Sequence, residues 1–184
     1  HKHRLAAWAA SRAASTSKLC RFKVKTGIDI LENAGFNDSF FVDHLPKPDE
    51  MDKHHKIWRS KVINEAKKHE LPFTHGVAAK LINIYMKVRF VCGGHHDDKR
   101  VQSLHPPIDE VLLKELARKN IGEAKTEWRN FRNARWSKYN SETYEGVIEL
   151  IRNSLSKDEP LWKIEKYWQQ IRGSLRAARQ ERQV

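Results

Sequence analysis

Three polar residues interrupt the otherwise apolar stretch Ala78-Ala79-Lys80-Leu81-Ile82-Asn83-Ile84-Tyr85-Met86-Lys87-Val88. Lys80, Asn83 and Lys87 stand at i, i+3 and i+7, one stripe of a helix whose other sides are apolar. If Lys80 faces a partly desolvated cleft, the neutral amine is favoured and becomes a nucleophile or proton carrier near neutral pH. The other reading is that both lysines run their stems along the helix and hold their ammonium groups in water. A second constellation is His105-Pro106-Pro107-Ile108-Asp109, followed directly by an apolar helical run. The prolines fix the entry to that helix and Asp109 is expected in its first turn, where the helix dipole favours the ionised carboxylate. Such a carboxylate suits a reaction with a cationic sugar transition state, and serves equally as a plain helix cap.

Aromatic and cationic residues interleave in Trp128-Arg129, Phe131-Arg132, Arg135-Trp136 and Lys138-Tyr139. Arg129 and Arg132 are candidates for phosphate contact, with Trp136 and Trp58 as candidate walls of a base pocket beside Asn83. Trp128 and Phe131 read as core, Trp58 reads as core as well as a pocket candidate, and the same spacing also fits a helix with a core face and a basic solvent face. His54-His55 and Cys92-x-x-His95-His96-Asp97-Asp98 contain metal-ligand types, which raises the reading of a metal-dependent nuclease. Adjacent ligands on a Gly93-Gly94 loop are poorly preorganised, so no metal is assigned and the segment reads as a solvated loop.

Lys80, a second lysine at 87, a loop, and then Pro-x-Asp opening the next helix resemble the helix-hairpin-helix DNA glycosylase superfamily. The likeness is greatest to the archaeal 8-oxoguanine glycosylase branch and its uncharacterised bacterial relatives, and it spans Leu71 to Leu116. Leu71-Pro72-Phe73-Thr74-His75-Gly76 stands where that family carries its Leu-Pro-Gly-x-Gly hairpin, with Gly76 as the only glycine. The resemblance implies an all-α glycosylase-like fold with a cleft between two helical halves. Asp109 and Lys80 would be the catalytic pair, with DNA contacts from His75, Gly76, Lys87, Lys99, Arg100, Arg129 and Arg132. It implies excision of oxidised guanine, or of a hypermodified cytosine such as the glucosylated hydroxymethyl base of phage DNA, without a cofactor. The partner would be double-stranded DNA containing a modified base, with no membrane and no obligate protein partner. The alternative is a non-enzymatic helical nucleic-acid-binding protein.

The elements that must hold these residues are helical almost throughout. Leu5, Trp8, Ala9 and Arg12 begin a first amphipathic pattern, and Val24, Ile28 and Leu31 mark a second that Gly35 stops. A loop over 36–48 precedes a long helix from Asp49 or Asp52, ended by His69-Glu70-Leu71-Pro72. Helical periodicity then predicts segments from Thr74 to Val91, from Pro106, over 123–138, 141–155 and 160–171. No alternating strand pattern of useful length occurs. One helical domain over 1–171 and a basic tail over 172–184, carrying Arg172, Arg176, Arg179 and Arg182, are expected.

A chain of 184 residues with six Trp, seven Phe and four Tyr has enough apolar material for a core, although only 39% is hydrophobic. Its formal charge of +12 favours a polyanionic partner through counterion release and steering. Cys20 and Cys92 stand far apart, too few for a cysteine-bound cluster and in keeping with a reducing compartment. No run is long and apolar enough to span a membrane, and the Ala-rich start carries Arg12 and lacks a secretory apolar core. These features predict a cytoplasmic protein, and the resemblance implies a bacterial or archaeal, nucleoid-associated one.

Overall fold

The computed structural model describes residues 1–15 and 20–168. Among these residues the chain is all-helical, with no strand. The helices are α1 (Lys2–Ala14), α2 (Val24–Asn33), α3 (Met51–Lys68), α4 (His75–Met86), α5 (Lys99–Gln102), α6 (Glu110–Arg118), α7 (Lys125–Ala134) and α8 (Ser141–Asn153). Short 3-10 turns over Val42–His44, Pro48–Glu50, Ile121–Glu123, Trp136–Lys138 and Leu161–Glu165 join or extend them. The predicted basic tail over 172–184, and the end of the helix predicted to reach 171, lie outside the described residues.

Small residues decide how α1 packs. Ala6, Ala7, Ala10 and Ala14 are fully buried, whereas Leu5 and Trp8 are 58% and 52% exposed. The amphipathic pattern expected from Leu5 and Trp8 is therefore corrected: the alanine stripe lets helix backbones approach closely, and the large side chains turn outward. Gly27 of α2 has the same cause, since a Cβ there would lie 2.5 Å from Ser11 Oγ of α1.

α4 is nearly encircled by protein and divides the apolar interior. Ala78 belongs to a cluster built from α1 to α4, and Ala79 belongs to a second built from α6 to α8. Lys80 follows at the seam, and Trp136 packs partly against both clusters. Thr74 caps α4, its Oγ1 accepting from Val77 N at 3.2 Å while donating to Ser137 O at 2.9 Å. Gly76 N–H donates to Tyr139 O at 3.2 Å, and a Cβ on Gly76 would lie 1.7 Å from Trp136 O. Only glycine lets α4 sit this close to the Trp136–Lys138 turn.

Two boundaries differ from the periodicity. The segment after Met86 does not break into a loop at Gly93 but continues as a wide π-type turn over Lys87–His95, with Gly94 at φ +96°. The helix predicted over 123–138 ends at Ala134, because Arg135 takes φ +62° and redirects the chain. Trp136 thereby leaves the surface of α7 and turns toward α4. Among the described residues no helix is long and apolar enough to cross a membrane.

Candidate active site

The second proline-flanked segment delivers Asp109 as the N-cap of α6, one position before the first turn where it was expected, with extended backbone at φ −147°. Its two oxygens have separate partners. Oδ1 accepts the Leu112 amide at 2.9 Å, and Oδ2 accepts Lys80 Nζ at 3.0 Å. Lys80 Nζ also donates to Ile108 O at 3.3 Å and stands 5.4 Å from the centre of the Trp136 ring. Lys80 is 6% exposed, while the Asp109 side chain keeps 27% of its surface open. The pair is thus closed around the amine and open at the carboxylate. Of the two readings of Lys80, a stem extended to water is ruled out by this burial.

Lys87, seven residues on, pairs with Glu165, which the 3-10 turn Leu161–Glu165 supplies. Burial pushes the Glu165 carboxyl above its ordinary value, Lys87 and Lys80 pull it down, and the Asp109 carboxylate raises it. Lys80, Asp109, Lys87 and Glu165 are therefore one electrostatic cluster of two cations and two acids. Glu165 was missed in the sequence, because at a helical period it reads as one more polar position beside Ile164. Its Oε1 is buried and has no hydrogen-bond partner among the described residues.

Asn83 does not line a base pocket. It is 1% exposed, and its Nδ2 donates to Pro106 O at 2.8 Å and to Tyr144 Oη at 3.0 Å. Its Oδ1 meets His55 Nε2 at 2.7 Å. Asn83 therefore pins the Pro106-Pro107 entry that carries Asp109. Behind it His55 stacks on His105 with ring centres 4.2 Å apart, and His105 Nε2 reaches Asp52 Oδ1 at 2.8 Å. Desolvation holds both rings below the ordinary histidine value, so they are neutral in the fold. Trp58 is also corrected: it is 8% exposed and packs edge-on to Phe36 and Phe40, in the core. Trp136 alone of the three candidate pocket residues adjoins the pair.

The residues expected to meet DNA fall into different environments. Gly76 is buried with its amide bonded to Tyr139 O, so the hairpin amide is not offered to a phosphate. His75 is half-buried beside it. Arg100 is held by Asp98 at 2.7 Å and Asp43 at 3.2 Å, while Lys99 is exposed. Arg129 is exposed and Arg132 half-buried on α7, whose fully buried Trp128 donates its Nε1–H to Ile121 O at 2.8 Å. Neither arginine makes an ion pair among the described residues. Among those residues, no three His, Cys, Asp or Glu side chains converge as metal ligands. Compared with protein-family models, with curated proteins and with solved structures, the chain matches none.

Proposed function

We propose that this chain is a DNA glycosylase that removes a damaged or modified base and leaves an abasic site. The observation that carries the reading is the Asp109 carboxylate, fixed by the Leu112 amide and the Lys80 ammonium, yet still partly open to a ligand. A nucleotide extruded from the duplex would bring its sugar to that open side, with the Trp136 ring beside the Lys80 amine as an apolar wall. As the C1′–N bond breaks, its electron pair leaves with the base and positive charge grows on the sugar, where the Asp109 carboxylate stabilises it. The Lys80 ammonium gives its proton to the departing base. Where the neutral amine then bonds to C1′, the C1′–O4′ bond breaks, a proton passes from the nitrogen to O4′, and a Schiff base results. If water adds to C1′ instead, Lys80 acts only as the proton donor.

Oxidised guanine and hypermodified cytosine of phage DNA are the substrates proposed. The test is a panel of labelled duplexes carrying oxidised, deaminated, alkylated and glucosylated bases, scored with and without hot alkali. Alkali-dependent breaks that disappear in Asp109→Asn are expected, and breaks without alkali that need Lys80 would add lyase activity. A non-enzymatic nucleic-acid-binding role is the second reading, favoured by the mutual neutralisation of both lysines while Arg129 stays exposed. It predicts salt-sensitive binding with no abasic site on any duplex.

A further inference from the structure

Arg59 is the most deeply buried cation of the described residues, and its hydrogen bonding is incomplete. It is 1% exposed, with its guanidinium carbon 4.4 Å from the centre of the Tyr144 ring. Nη2 donates to Glu145 Oε1 at 2.9 Å, but Nε and Nη1 find no partner among the described residues. Two further buried nitrogens without partners, His55 Nδ1 and His75 Nδ1, belong to rings that feel the Arg59 charge. A buried cation with free donors is costly, and a planar guanidinium fork is the group that an oxyanion with several oxygens satisfies best. Arg59 lines a cavity of about 470 Å³ between α3 and α8, together with Lys53, Lys56 and Arg152 and the carboxylates of Asp52, Glu145 and Glu149.

Glu145 has the geometry of a stand-in. Its carboxylate is 44% exposed and collects Arg59, Lys56 at 3.2 Å and the Ser141 hydroxyl at 2.7 Å. One carboxylate oxygen, Oε1, accepts from one guanidinium nitrogen. A phosphate, with more oxygens, would accept from the remaining donors as well.

We infer that the α3–α8 groove is a phosphate-oxyanion site, with Arg59 at its floor, Lys56 beside it, and Glu145 as the carboxylate an incoming phosphate displaces. His75 stands at the start of α4, next to Gly76, whose amide is taken by Tyr139 O. Side chains therefore receive the oxyanion where a hairpin amide does not. The oxyanion comes either from a DNA backbone, a source that rests on the glycosylase reading, or from a free phosphate.

The test uses the full chain, titrated with inorganic phosphate, with dimethyl phosphate and with an undamaged duplex at several salt concentrations. The variants are Glu145→Gln, Lys56→Ala and Arg59→Lys, each checked for fold by circular dichroism. Glu145→Gln is expected to bind inorganic phosphate about tenfold more tightly, the size of one charged hydrogen bond. Lys56→Ala and Arg59→Lys are expected to bind it about tenfold more weakly. A salt slope on duplex lowered by about one in Lys56→Ala assigns the site to the DNA backbone. An unchanged duplex slope with altered phosphate affinity assigns it to a free phosphate. If the surface variants Glu145→Gln and Lys56→Ala leave phosphate binding unchanged, or the wild type binds none, the inference is overturned, whether or not duplex is bound. Phosphate binding without duplex binding instead keeps the site and removes the DNA reading.

Discussion

At the scale of a single residue, the two oxygens of Asp109 divide a helix cap from an ion pair. Oδ1 caps α6 through Leu112, and Oδ2 holds Lys80. Asparagine keeps an oxygen for the cap and loses the charge. Asp109→Asn is therefore expected to lower excision by about 10²- to 10³-fold and also to lower the urea midpoint, because it leaves the buried Lys80 ammonium without its counter-charge, whereas Asp109→Ala loses in addition a cap worth about 1 kcal/mol. Single-turnover excision and urea midpoints on both variants check this; equal activity in wild type and Asn would remove the carboxylate from the mechanism. Glu165 gives a second prediction. Because it pairs with Lys87, Glu165→Gln releases that ammonium, and log affinity against log salt on duplex is expected to steepen by about one. An unchanged slope would show that Lys87 lies away from the DNA. The Lys80–Asp109 pair was legible because a lysine in an apolar run and a proline-fixed carboxylate are each odd against their surroundings. Glu165 was not, since nothing local marks the one acid of a helical pattern that folds back on a distant lysine.

Among the elements, legibility followed the same division. α3 and its end were readable: Leu71 N–H bonds to Ala66 O and Glu70 N–H to Lys67 O, closing the helix as His69-Glu70-Leu71-Pro72 suggested. α1 was misread, because hydropathy favours Leu5 and Trp8 for the interior while close packing selects the alanines. The break at Arg135 was invisible as well, since its positive φ is imposed by the turn that seats Trp136 O against Gly76. Glu70 sits at φ +58° just after α3, where glycine has no steric penalty. Glu70→Gly is expected to stabilise the protein by about 0.5–1 kcal/mol, read as a higher urea midpoint at unchanged slope. A lower midpoint would mean that the Glu70 side chain contributes more than its backbone costs. Gly76→Ala works in the other direction. Its Cβ would meet backbone, not a side chain that can swing away, so a loss of about 1–3 kcal/mol or more is expected, along with displacement of Trp136 from Lys80.

For the whole molecule, the buried histidine pair ties global stability to the position of Asp109. His55 and His105 are held below the ordinary histidine value because burial disfavours their charged forms and Arg59 opposes both; the His105 ring also opposes charging His55, whereas the Asn83 hydrogen bond favours charging His55 and Asp52 favours charging His105. The unfolded chain therefore takes up protons near the ordinary histidine value, about 6.5, where the folded chain does not. Stability rises with pH through that window and falls on acidification below it, by at most about 1.4 kcal/mol per pH unit for a ring that stays uncharged in the fold, with His55 the larger contributor. Asp52 acts at lower pH: the His105 hydrogen bond holds it at about 2, so its contribution is present above the ordinary carboxylate value and lost as pH falls toward 2. Urea midpoints from pH 8 to 5 are expected to decline steeply below about pH 6.5, and His55→Gln is expected to flatten that decline by about one proton. Because Asn83 links His55 to the Pro106 carbonyl, binding of an abasic-site duplex should weaken over the same pH range in the wild type and less so in His55→Gln. A stability profile that is flat from pH 7 to 5.5 would mean that these rings charge in the folded state, and that the support behind Asp109 is rebuilt around them.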